Sequence, residues 1–163
     1  MERANIILDR IEELYAEYHE EMFKYRKKQS PFARMFGSLT VSSGEPAEET
    51  LHGKFFINVS QMTAELEELL TKARDEEPEL CQAVAAKAVN LLLIKDYNVF
   101  DVAETVTYSG LEKCAVPLLE FLSPDELERQ YSIYRTHRTR LMGKEVIKAM
   151  KSAIRLYNDR GLF

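Results

Sequence analysis

Pro78-Glu79-Leu80-Cys81-Gln82-Ala83-Val84-Ala85-Ala86-Lys87-Ala88-Val89-Asn90-Leu91-Leu92-Leu93-Ile94 is the stretch on which the fold turns. Proline opens it, as suits the first turn of a helix, where the missing N–H costs nothing. Leu80, Cys81, Ala83, Val84, Ala88, Val89, Leu91, Leu92 and Ile94 then place apolar groups on every face of a 3.6-residue period. A helix that is apolar all round needs other helices around it. Its longest uninterrupted apolar run, Leu91 to Ile94, is far below the ~18–20 residues of a membrane span. The expectation is a central core helix wrapped by protein.

Working outward, the same period holds almost everywhere. Upstream, Ile7, Ile11, Leu14, Tyr18, Met22 and Tyr25 recur at spacings of three and four, with Glu12, Glu13, Glu17, Glu20 and Glu21 mostly off that stripe. This predicts a long helix over about 3–28. Ser30-Pro31 and Gly37 bracket a short turn carrying Phe32, Met35 and Phe36, read as a loop anchored into the core, and residues 38–45 lack helical period and read as a flexible linker. From Pro46, the positions Leu51, Phe55, Met62, Leu66, Leu69 and Ala73 predict a helix over about 46–74. Gly53 and the strand-like run Phe55 to Val59 leave a break near 53–60 as the alternative.

Downstream, shorter helices are expected at about 98–108 and 110–122. Ser123-Pro124-Asp125-Glu126 combines an N-cap, a proline at the first helical position and a capping-box glutamate, so a helix should run from there to about 138. The last helix should occupy about 143–160, with Gly161 past its end. The expected fold is all-α: an irregular bundle of six to seven helices around the central apolar helix, with a short α-solenoid-like stack of helix hairpins as second choice. A single helical domain covers residues 1–163, built from the N-terminal helix (1–28), the linker (38–45) and a helical core (46–163).

Charge is unevenly spread. Residues 129–163 hold nine Lys or Arg against two acids, a net of +7; residues 45–128 hold eighteen acids against six bases, a net of −12; residues 1–44 balance. On a helical wheel, Lys144, Lys148, Lys151 and Arg155 fall within about 60°, a strip about 17 Å long. Val146, Ile147, Met150, Ile154 and Tyr157 occupy the other side. Just before this helix, Arg135, Arg138 and Arg140 are interleaved with Tyr134 and His137, either of which could stack on an unpaired base.

Catalytic signals are thin. A bundle-core di-metal site needs two Glu-x-x-His motifs, and Glu49–His52 supplies only one; His19 and His137 lack the glutamate. His52 is therefore read as a solvated first-turn histidine, and no metal or cofactor is expected. Cys81 and Cys114 share no CxxC spacing and read as reduced, buried thiols. The N-terminal residues do not read as a signal peptide, so a cytoplasmic protein is expected.

The leading functional expectation is a non-enzymatic helical interaction protein, an adaptor or regulatory subunit. Its basic strip (Arg135, Arg138, Arg140, Lys144, Lys148, Lys151, Arg155) would contact an acidic protein surface or a second copy of itself, with no membrane partner. A nucleic-acid-binding protein using the same strip ranks second, because an isoelectric point of about 5.4 is far below the ~9 typical of nucleic-acid domains. An enzyme with an unrecognised site ranks third.

Overall fold

The computed structural model describes residues 1–28, 46–93, 102–137 and 143–161. Among these the protein is all-helical: six α-helices and one 3-10 segment, with no strand. The expected turn at Phe32 to Phe36 and the linker at 38–45 lie outside the described residues.

Helix α1 (Glu2–Lys28) buries Ala4, Ile7, Leu8, Ile11, Leu14, Tyr15, Tyr18 and Met22. Glu12, Glu13, Glu17, Glu20 and Glu21 stay exposed, as the stripe predicts. Arg26, Lys27 and Lys28 close the last turn, where cations complement the helix dipole. Helix α2 (Pro46–Ala73) runs antiparallel to it. Arg3 pairs with Glu65, Tyr15 packs on Phe55, and Tyr18 meets His52, so partners rise on one helix as they fall on the other.

Helix α2 is unbroken through Gly53 and the Phe55–Val59 run. Phe55, Val59, Leu66 and Leu70 are buried at helical spacing. Burial of one face thus overrides the strand-like composition of the run.

Helix α3 (Pro78–Leu93) is the apolar helix that Pro78 opens. It packs against α1, α2, α4 (Val102–Ala115), the 3-10 segment Val116–Phe121 and α5 (Pro124–His137). Ala85, Ala88, Val89 and Leu93 are fully buried, each larger side chain contributing about 1.5–3 kcal/mol on burial. Enclosure is nevertheless one-sided. Glu79, Leu80, Gln82, Ala83, Lys87 and Asn90 remain exposed, so α3 forms one wall of the core.

The two short helices expected at 98–108 and 110–122 are arranged differently. Helix α4 continues through Gly110 to Ala115, and the α-geometry gives way to 3-10 only where Pro117 enters the first turn of the next segment. Gly110 acts as a contact surface for α2: a β-carbon there would lie 2.5 Å from Cε2 of Phe56. Leu122 turns extended and ends the 3-10 segment. Ser123 Oγ then accepts the Glu126 N–H at 3.3 Å, capping α5. The other half of the expected capping box is not made; the Glu126 carboxylate is taken by Arg129 and Gln130. Helix α6 (Lys144–Asp159) follows Gly143, whose φ of 69° is one that side-chain-bearing residues avoid.

Candidate functional site

Helix α6 is sharply divided. Val146 and Met150 are buried, and Ile147, Ala153, Ile154 and Tyr157 are partly buried against the core. Tyr157 Oη donates to the Leu122 carbonyl at 2.8 Å, locking the helix onto the turn before α5. With that side anchored, Lys144, Lys148, Lys151 and Arg155 all point to solvent. None of the four makes an ion pair among the described residues.

Several cations elsewhere among the described residues are paired, although Lys27, Lys28, Lys54, Lys72 and Lys113 are not. Arg3 is held by Glu65 at 2.7 Å, Arg10 by Glu13 and Glu17 at 2.8 Å, and Lys24 by Glu20 at 2.7 Å. Arg26 reaches Glu104 at 3.4 Å, Arg74 reaches Glu120 at 3.1 Å, and Lys87 reaches Asp9 at 3.5 Å. Arg129, on Glu126 at 2.6 Å, is the last cation along the chain to be paired among the described residues. Beyond it Arg135, Lys144, Lys148, Lys151, Arg155 and Arg160 make no ion pair among the described residues.

The tertiary structure adds a cation that the linear pattern could not supply. Helix α4 delivers Lys113 to the side of α6. Between them runs an open groove of about 610 Å³, with Val116, Pro117 and Ala149 as apolar lining and Lys113, Lys148 and Glu145 as charged lining. A smaller hollow of about 280 Å³ continues past Gly143 toward Ser109 and Glu112. No sequence signal marks Lys113, because its place beside Lys148 depends on how α4 and α6 pack.

The other predicted site residues fare unevenly. Arg135 is exposed on α5. The side chain of His137, and all of Arg138 and Arg140, lie outside the described residues. Tyr134 is corrected outright. It is fully buried, and its phenol sits against Gly143 at the start of α6. No face of its ring is open to a base, because the position where the aromatic projects is the one where α5 and α6 meet.

His52 is likewise not the solvated residue the sequence suggests. It is 3% exposed, with Nδ1 2.6 Å from the Tyr18 hydroxyl, inside an aromatic cluster in which Tyr18 stacks on Phe55 at 4.4 Å. The phenol donates this hydrogen bond when the imidazole carries its proton on Nε2. Among the described residues no three His, Cys, Asp or Glu side chains converge as a metal site would require. Cys81 is buried and its thiol points at the Leu70 carbonyl; burial, then the charge of Glu77, pushes its pKa up. Cys114 is half-buried, and both are free thiols.

No helix among the described residues is long and apolar enough to cross a membrane. No known protein family, curated protein or solved structure matches this chain.

Proposed function

We propose that this chain is a non-enzymatic interaction protein, acting in the cytoplasm with its thiols reduced, whose helix α6 docks an acidic protein surface. One observation carries the reading: Lys144, Lys148, Lys151 and Arg155 are exposed together and unpaired among the described residues, on a helix whose other side is anchored by Val146, Met150 and Tyr157. Exposed cations ion-paired within a molecule do little for partners. Unpaired ones on a rigid element raise the rate and specificity of encounter with a negative surface.

Nucleic acid is the weaker reading. Tyr134 is closed off in the core, which removes it as a base-stacking surface, and the isoelectric point of about 5.4 is far below that of typical nucleic-acid domains. The test is binding of a labelled Glu/Leu-rich peptide, and of single- and double-stranded oligonucleotides, at low and high salt. Saturable peptide binding that is lost in Lys144→Glu/Lys148→Glu/Lys151→Glu supports the proposal. Oligonucleotide binding with a steep salt slope, or no binding of either probe, overturns it.

A further inference from the structure

The groove beside α6 has a chemical complement elsewhere on the same surface. The turn from α2 into α3 reads Asp75-Glu76-Glu77-Pro78-Glu79-Leu80. All four acids are exposed, and none makes an ion pair among the described residues. Leu80, following them directly, is 39% exposed on the open side of α3. An apolar side chain flanked by carboxylates matches a trough with Val116, Pro117 and Ala149 as lining and Lys113 and Lys148 as cations.

None of the turn residues lines the groove of its own molecule. Arg74 pins it to the far end of the 3-10 segment, pairing with Glu120 at 3.1 Å and lying over the Phe121 ring at 4.4 Å. Val116 and Pro117, at the near end of that segment, line the groove. At the 3-10 rise of about 2 Å per residue, the four steps from Val116 and Pro117 to Glu120 and Phe121 separate the two features by about 8 Å. That spacing lets both fall within one standard interface patch of about 800 Å² per partner. In a twofold contact each pairing is made twice, so a turn and a groove carried by the same patch are mutually satisfied.

Resting on the reading of α6 as a docking surface, we infer that its occupant is a second copy of this chain. The acidic turn of each copy enters the other's groove, with Leu80 over Val116 and Pro117 and the carboxylates of Glu76, Glu77 and Glu79 toward Lys113, Lys148 and Lys151. The contact is charge-steered at its rim, so it weakens as salt rises.

Sedimentation of the full-length chain at low and high salt tests this, with circular dichroism to verify folding of each variant. Wild type should dimerise at low salt and dissociate as salt is raised. Lys113→Glu/Lys148→Glu/Lys151→Glu and Glu76→Lys/Glu77→Lys/Glu79→Lys should each be folded and lose more than about tenfold in dimer affinity. An equimolar mixture of the two should recover a dimer, since wild-type turn meets wild-type groove in one contact and reversed charges meet in the other. A folded wild type that stays monomeric at low salt overturns the inference, and so does a mixture that fails to recover the dimer. Monomeric protein that still binds the acidic peptide through α6 removes the second copy as occupant and leaves the docking surface standing.

Discussion

The phenol of Tyr134 occupies the space that a β-carbon would need at Gly143. Two constraints meet at this glycine: a φ of 69°, and an aromatic group packed against its α-carbon. The junction holds α6 in place, and with it the strip of four cations. Gly143→Ala combines the left-handed backbone cost of about 1–2 kcal/mol with displacement of a buried ring. The expected loss is about 2–4 kcal/mol in urea denaturation. Its effect should be far from additive with Tyr134→Ala, which vacates the same space.

Gly53 and Gly110 both sit inside helices, yet their alanine variants should move stability in opposite directions. At Gly53 a β-carbon would meet nothing within 4 Å. Gly53→Ala should therefore stabilise by about 0.5–1 kcal/mol through helix propensity alone. At Gly110 the β-carbon would meet the Phe56 ring at 2.5 Å. Overpacking of about 1–3 kcal/mol should exceed the propensity gain, leaving Gly110→Ala destabilised. Paired denaturation curves give both signs directly.

Tyr18→Phe deletes a hydroxyl without disturbing the ring that stacks on Phe55. What is lost is the 2.6 Å hydrogen bond to His52 Nδ1 between two buried residues. Removing one partner of a buried pair costs about 1–3 kcal/mol. Equilibrium denaturation should show a loss in that range, with the helical circular dichroism spectrum unchanged.

The Glu126 carboxyl is held below the ordinary carboxylate range, chiefly by the hydrogen bond from Arg129 and further by Gln130, against the opposing effect of burial. A depressed folded-state pKa contributes stability above the unfolded value, near 4.3, and loses it as pH falls through the folded value. Glu126→Gln should therefore be less stable than wild type at neutral pH. The gap between the two should close as pH drops below about 4, as followed by denaturation at a series of pH values. Glu20 and Glu65 shift in the same direction through Lys24 and Arg3, but Glu20 is exposed and Glu65 only half-buried, so they add little to this dependence.

How far these features could be read in advance depends on the range of the interactions that make them. The stripe Ile7, Ile11, Leu14, Tyr18 and Met22 announces α1, and Ser123-Pro124 announces the start of α5, because capping and periodicity act within four residues. The exposure of Lys144, Lys148, Lys151 and Arg155 follows from the apolar face opposite them in the same way. Gly110 shows the limit of such local rules. Locally it is a helix breaker; in the fold it is the one residue small enough to sit under Phe56.

Sequence alone determined that the chain is all-helical, where most helices start and stop, and that one helix carries a line of cations. These are consequences of a hydrogen-bond ladder with a period of 3.6 residues and of the solvation of charge. Only the tertiary structure decided which aromatic and polar side chains those helices conceal and which distant charges they bring together. Tyr134 and His52 are buried because α5 meets α6 and α1 meets α2 at their positions. Lys113 stands across a groove from Lys148 because α4 and the 3-10 segment pack against α6. Contacts between residues many positions apart are set by how apolar faces of several helices are jointly satisfied, and no local pattern records that solution.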